Sequence, residues 1–263
     1  MKPLISIITP AYNSEKFIEK TILSVINQDY NHFEYIIIDG NSTDKTLEIC
    51  NKYRSDIYRL VSEPDKGMYE AINKGMRLAK GDILAYINSD DILFPGALSY
   101  IARKFEDEKF DLCFGYTKFI GPNDELKFSH KAINFKLNNV LALKRLPFCQ
   151  QSCFFSRKLY YRLNGFDSSL KYVGDTKFFL SAYMINNLKT SIVKKYLAAF
   201  RLHEDCLSIA QKMTMERERE LMMNHLAINC ERNKYFVTLK RIRLEAIIKL
   251  FNLKGIFKKH LNL

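Results

Sequence analysis

Strand-like and helix-like segments alternate without interruption through the first hundred residues, and few folds accommodate that order. "LISIITP" is a β-branched apolar run stopped by Pro10, as expected of a strand buried on both faces. In "SEKFIEKTILSVINQ", Phe17, Ile18, Thr21, Ile22, Val25 and Ile26 share one helical face, and Ser14 is placed to cap it. The pairing repeats as "EYIIIDG" with "NSTDKTLEICNKY", where Ser42 or Thr43 would be the cap, and as "IYRLVSE" with "MYEAINKGMRLA". "GDILAYINS" then supplies a fourth strand. Such units joined by short connections predict an α/β fold, a mainly parallel sheet with helices on both faces. Sheets of this kind bind ligands beyond the carboxyl ends of their strands. Those ends are residues 10–13, 39–42, 63–67 and 88–91, a set rich in carboxylates and small polar groups.

Beyond residue 95 the order is mixed. "PGALSYIARKF" reads as a helix with proline in its first turn, "DLCFGYTKFIGPNDELKF" as a hairpin turning at 121–124, and "CQQSCFF" as a strand. "SRKLYYRL" is a short helix, "DTKFFLSAYMIN" a helix opened by Asp175, "TSIVKKYLAAFRL" a strand, and "MTMERERELMMNHLAINCERN" helical. With no repeat or long linker, one compact domain over 1–209 is expected, followed by a helical, basic extension over 210–263.

Several function classes are disfavoured at this point. No run of 18 or more apolar residues offers a membrane-spanning helix, and the apolar run in "MKPLISIITPAYN" is too short for a signal peptide, so a cytoplasmic location is expected. Six cysteines are scattered with no CxxC pair, which reads as reduced thiols rather than a zinc site. The net charge is +12, but residues 232–263 hold nine Lys/Arg against one acid, Glu245. Most of the basic character therefore sits in the tail, and a nucleic-acid groove across the main body is not implied.

A crevice lined with carboxylates needs some way of holding a phosphate, and neither GxGxxG nor a Walker A lysine is present. A hard divalent cation, Mg²⁺ or Mn²⁺, shared between protein carboxylates and a diphosphate is the alternative. "INSDDILFPG" puts Asp90 and Asp91 where an apolar run stops, which suits that arrangement. A capping turn would look the same, and the two residues alone leave both readings open.

"ISIITPAYN", "FIEKTILSVINQ", "YIIIDGNSTDKT", "SEPDKGMYEAINKGMRLAKGD" and "INSDD", in this order and spacing, resemble the family 2 inverting glycosyltransferases, which have the GT-A fold. The "EPDKGMYEAINKG" segment is similar to that of a subset of the family, and the likeness continues through "CQQSCFFSRKLYYRLNGFD", fading near residue 205. The resemblance implies a metal-dependent transfer of a sugar from a nucleotide-diphosphate donor to a hydroxyl of a polysaccharide or lipid-linked oligosaccharide. It places Pro10, Ala11, Tyr12 and Asp39 at the base and ribose, Lys66 and Gly67 near the nucleotide, and Ser89 and Asp90 of "SDD" near the ribose. Asp91 falls on the Mn²⁺ or Mg²⁺ that bridges the diphosphate, and His203 is a further candidate for the cation or a phosphate. Asp175 of "GFDSSLKYVGDTKFF" matches the base that deprotonates the acceptor. Lys177 stands where the family usually has a second acid, and Asp175 is equally good helix-capping chemistry. Gln150 and Gln151 are weaker donor-side or acceptor-side candidates, and Asp167 reads as structural.

In the tail, Leu239, Ile242, Ala246, Leu250, Leu253 and Phe257 follow helical spacing among lysines and arginines. Contact of residues 236–263 with an anionic membrane surface is one reading, peripheral on the inner face of the cytoplasmic membrane. Packing on the protein body or on a second copy in an oligomer is the other. Two rival functions remain: a catalytically inactive, membrane-associated nucleotide-sugar binder, and a sugar nucleotidyltransferase. The second would normally carry a glycine-rich basic loop near its start, which "TPAYNSEKF" is not.

Overall fold

The computed structural model describes residues 2–135, 139–140 and 146–227, with the isolated positions 246 and 249. Strands are β1 (Ile5–Ala11), β2 (Phe33–Asp39), β3 (Arg59–Ser62), β4 (Ile83–Tyr86), β5 (Ile92–Leu93), β6 (Leu112–Ile120), β7 (Leu126–His130), β8 (Cys153–Ser156) and β9 (Thr190–Arg201). Helices are α1 (Ile18–Ile26), α2 (Thr46–Lys52), α3 (Met68–Leu78), α4 (Ala97–Glu108), α5 (Arg157–Arg162), α6 (Gly174–Tyr183), α7 (Leu207–Ala210) and α8 (Lys212–Ala227). The sheet order is β3-β2-β1-β4-β8-β6-β9-β5, with β7 added to β6.

β1 to β4 are mutually parallel, as the alternation requires, so their carboxyl ends meet along one margin. β8 runs antiparallel between β4 and β6, while β9 is parallel to β6 and antiparallel to the short β5. Successive residues of a strand point to opposite faces, and the core divides accordingly. Ile8, Ile36, Ile38, Leu84 and Tyr86 pack with Tyr69, Ile72 and Met76 of α3. Ile5, Ile7, Tyr35, Ile37 and Ala85 face the other way, against Ile18, Ile22 and Val25 of α1 and Leu98 and Ile101 of α4.

Two expected caps are replaced. α1 begins at Ile18, and Ser14 contributes its carbonyl to Phe17 and Ile18 while its hydroxyl turns to Ser89. α2 begins at Thr46, whose amide donates to Asp44, because Ser42 is engaged by Asp39. "CQQSCFF" divides into a 3₁₀ turn, Gln150–Ser152, and then β8. The hairpin turns at 121–124 as expected, with the Gly121 amide donating to the Glu125 carbonyl. Cys50, Cys113, Cys149, Cys153 and Cys206 are free thiols. No helix among the described residues is long and apolar enough to cross a membrane. The amphipathic stretch 236–263 lies outside the described residues apart from two positions.

Candidate functional site

The crevice begins where β1 and β2 end. Both loops turn through a left-handed asparagine, Asn13 (φ 47°) and Asn41 (φ 65°), a conformation asparagine tolerates better than most residues. They are tied to each other: the Asn13 amide donates to Ser42 Oγ (2.9 Å), the Thr43 amide to Asn13 Oδ1 (2.9 Å), and the Glu15 amide to Asp44 (3.0 Å). Asp39 is buried at the end of β2, and its carboxylate accepts from the Ser42 amide and hydroxyl and from Ser62 Oγ (2.6 Å). Pro10 and Ala11 are buried in β1, whereas Tyr12 is 64% exposed. A Cβ on Gly40 would meet Asp65 Oδ2 at 2.8 Å and the Tyr12 ring at 3.5 Å, so the Asp65 carboxylate and the exposed Tyr12 ring both approach the backbone at residue 40. Burial pushes the Asp65 carboxyl up, and Asp65 Oδ1 accepts from the Gly67 amide at 2.8 Å. Gly67 (φ 134°) precedes α3 in a conformation that only glycine adopts readily, and the Lys66 amide donates to Glu70 (2.7 Å).

The two adjacent acids point to different places. Asp91 is fully buried, and both of its oxygens are taken by protein donors: the Arg201 amide at 2.8 Å, Gln151 Nε2 at 3.0 Å and Asn88 Nδ2 at 3.3 Å. Burial pushes its carboxyl well above the usual range, and the neighbouring Asp90 adds to this. Three protein donors thus hold Asp91 within the turn, on a carboxylate with acceptor sites for about four. Asp90 is less deeply placed, with its Oδ2 2.9 Å from His203 Nε2 and side chains 22% and 13% exposed. Ser89 joins Ser14 through their hydroxyls (2.7 Å), which ties the turn to the first loop.

Arg201, fully buried at the end of β9, secures this turn. Its Nε donates to the Asp90 carbonyl (2.8 Å), and its Nη1 reaches the Gly121 carbonyl (3.1 Å) and Asp124. Its guanidinium lies 4.8 Å from the centre of the Phe17 ring, which also packs against His203. The sequence reading missed Arg201, although a lone arginine ending an apolar strand two residues before His203 was a usable signal. Gln150 donates to the Tyr86 carbonyl (2.7 Å), so both glutamines brace the turn from beneath rather than lining the crevice.

Asp175 is in the first turn of α6, partly buried, with Oδ1 accepting from the Thr176 amide (2.6 Å) and the Tyr69 hydroxyl (3.2 Å). Burial raises its carboxyl above the ordinary value, opposed by those two donors and by the charge of Arg219. Tyr69, on α3, can come this close because residue 174 is glycine, where a Cβ would meet the ring at 2.8 Å. Lys177 is turned away to Asp167, in an ion pair that holds the Asp167 carboxyl down at about 2. Among the described residues no cluster of three His, Cys, Asp or Glu is placed to hold a metal ion. Asp90 and His203 are a pair, and the fit to a cation depends on further oxygens from a ligand or water. One carboxylate plus one imidazole suits Mn²⁺ better than the all-oxygen preference of Mg²⁺.

A family model, Glycosyl transferase family 2, matches residues 6–163. Hyaluronan synthase of Pasteurella multocida is 26% identical over 236 residues, 89% of this chain and 24% of that protein. A PGL/p-HBAD biosynthesis glycosyltransferase of Mycobacterium tuberculosis is 28% identical over 207 residues, covering 75% and 77%. The chain spans 40% or less of the length of the first curated relatives it matches. Among solved structures, S. aureus TarS 1-349 in complex with UDP-GlcNAc superposes with a TM-score of 0.67 at 20% identity, over 93% of this chain and 72% of that one. The mannosyltransferase PcManGT from Pyrobaculum calidifontis, in complex with GDP-Man and Mn²⁺, gives 0.65 at 18% identity over 96% and 71%. At these identities the structural likeness establishes the fold, which is GT-A.

Proposed function

The chain belongs to glycosyl transferase family 2, and from that premise we propose that it moves a sugar from a nucleoside-diphosphate donor to a hydroxyl of a polysaccharide or lipid-linked acceptor, with inversion. The observation that carries this reading is the placement of the exposed Tyr12 and the Asp90–His203 pair just beyond the carboxyl ends of the parallel strands β1 and β4, with Asp175 held by Tyr69 of α3, the helix that follows β3. Tyr12 offers a face for the base, with Pro10, Ala11, Asp39 and Asp65 shaping the floor beneath it. Ser89 and the turn at Lys66 and Gly67 flank the path toward the diphosphate.

Asp90 and His203 would hold Mn²⁺ together with diphosphate oxygens. Bound there, the cation would offset the charge that develops on the departing diphosphate. Asp175 takes the proton from the acceptor hydroxyl as that oxygen attacks the anomeric carbon from the face opposite the nucleotide. Its raised carboxyl is the better base for this task, while the Tyr69 and Thr176 donors oppose that rise and fix its direction. Lys177, the departure that favours an inactive binder, is engaged by Asp167 and leaves Asp175 its own partners.

The test is a panel of nucleotide sugars with Mn²⁺ or Mg²⁺, following release of nucleoside diphosphate by the wild type, Asp90→Ala and Asp175→Asn. Metal-dependent release from one donor, lost in both variants, is the expected result. A donor that binds without turnover, even with membrane extract as acceptor, would establish the inactive binder instead.

A further inference from the structure

Helix α8 lies beyond the segment matched by the family model, yet it reaches the approach to Asp175. Met222 and Met223 are buried in the same core cluster as Tyr69, Phe166, Val173 and Phe178, and Met215 packs against that cluster. Held in this way, Glu218 aims its carboxylate at three successive backbone amides. Lys171 N–H donates to Oε1 at 2.8 Å, and Tyr172 and Val173 N–H donate to Oε2 at 2.8 and 3.1 Å. Val173 is the residue that caps α6, two positions before Asp175, and no side chain of its own segment caps that helix. Consecutive amides converging at a helix start form a concavity for an anion, and a carboxylate there is favoured by the helix dipole as well. The anion comes from a different helix, more than forty residues further along the chain. Arg219, the next residue on α8, opposes the effect of burial on Asp175.

We propose that Glu218 is a positioning residue for proton transfer: from α8 it fixes the loop 171–173 and so sets where Asp175 stands relative to the acceptor hydroxyl. This inference rests on the glycosyl transfer proposed above, with Asp175 as the base. It makes the chain beyond residue 210 a working part of the acceptor side rather than an appendage. Misplacing a reacting group by about an ångström can cost roughly a hundredfold in rate, and three bonds to consecutive amides restrain that displacement.

The full chain is assayed as wild type, Glu218→Ala, Glu218→Gln and Glu220→Ala, the last removing an exposed charge from the same helix. Turnover, donor KM and amide hydrogen exchange over 168–178 are measured for each. Glu218→Ala is expected to lose tenfold or more in turnover, with donor KM within twofold and exchange accelerated locally at 170–176. Glu218→Gln, which retains one acceptor oxygen, should fall between, and Glu220→Ala should match the wild type. Wild-type turnover in Glu218→Ala would overturn the inference, as would turnover and donor KM worsening together with exchange accelerated across the whole domain. If the wild type itself transfers sugar from no donor, the proposed function fails and the inference with it, a result distinct from an active wild type with an indifferent Glu218.

Discussion

Replacing Asp91 with alanine should damage the fold, whereas replacing Asp90 should damage cation use. Asp91→Ala removes the acceptor of the Arg201 amide, Gln151 Nε2 and Asn88 Nδ2, in a place where Asp91 itself has no exposure. A buried donor left without a partner costs about 1–3 kcal/mol. Against this, the variant removes a carboxylate whose burial is itself unfavourable, as the rise of its pKa well above the ordinary value indicates. The balance is a loss of roughly 2–4 kcal/mol, from the low end of the orphaned-donor cost summed over three groups. For a domain of this size that is a fall in Tm of roughly 5–15 °C. Because the folded-state carboxyl is raised, its contribution to stability is complete below the unfolded pKa and is lost as pH rises toward the folded value. The penalty of Asp91→Ala should therefore be larger at pH 4 than at pH 8. Asp90→Ala, on a side chain with 22% exposure, should shift Tm by no more than a few degrees while the Mn²⁺ requirement rises steeply. Thermal unfolding at both pH values, with Mn²⁺ titrations of donor turnover, separates the two. If Asp91→Ala unfolds with the wild type and loses only its response to Mn²⁺, the assignment of these acids is wrong.

Three further outcomes follow from the site. Mn²⁺ should support turnover better than Mg²⁺, and His203→Ala should narrow that preference, since on the proposed reading the imidazole would be the ligand that discriminates between them; metal titrations of both proteins decide it. Tyr69→Phe removes one donor to the Asp175 carboxylate oxygen, so its carboxyl should rise further and the acid limb of the kcat/KM–pH profile should move to higher pH, with Tm little changed. Lys177→Ala should remove about 0.5–1 kcal/mol at neutral pH, the scale of a solvent-accessible pair. Because Asp167 is held down at about 2, that contribution is present above the unfolded carboxylate pKa and disappears as pH falls toward 2, so denaturant unfolding of wild type and variant should converge there.

The parallel half of the sheet was legible because its strands are short runs with apolar residues ended by polar turns, β-branched above all in β1 and β2, and the intervening helices repeat every 3.6 residues. The caps were less legible. Ser14 and Ser42 look like ordinary N-caps in sequence, but each is claimed by a residue distant along the chain, Ser89 for one hydroxyl and Asn13 for the other. The difference in burial between Asp90 and Asp91 could not be read from the sequence, because neighbouring residues in a turn differ only in direction, and Arg201, more than a hundred positions later, binds the Asp91 carboxylate and the Asp90 carbonyl. Tyr69 was quoted within a motif without a role, since its distance to Asp175 depends on how α3 meets α6 at Gly174. Glu218 gave no signal at all: in "MERERE" it is one charge of several, and what distinguishes it is the loop it faces.

The interlocked loops after β1 and β2 have a consequence for anyone who would re-engineer this protein. Asn13, Glu15, Ser42, Thr43 and Asp44 exchange partners across the gap, so neither loop has a shape of its own to contribute. A chimera that imports residues 10–15 from a relative, but leaves 39–46 untouched, would inherit mismatched halves and lose the bonds that join the two loops. The two stretches form one heritable cassette written in two places, and they have to be transplanted together.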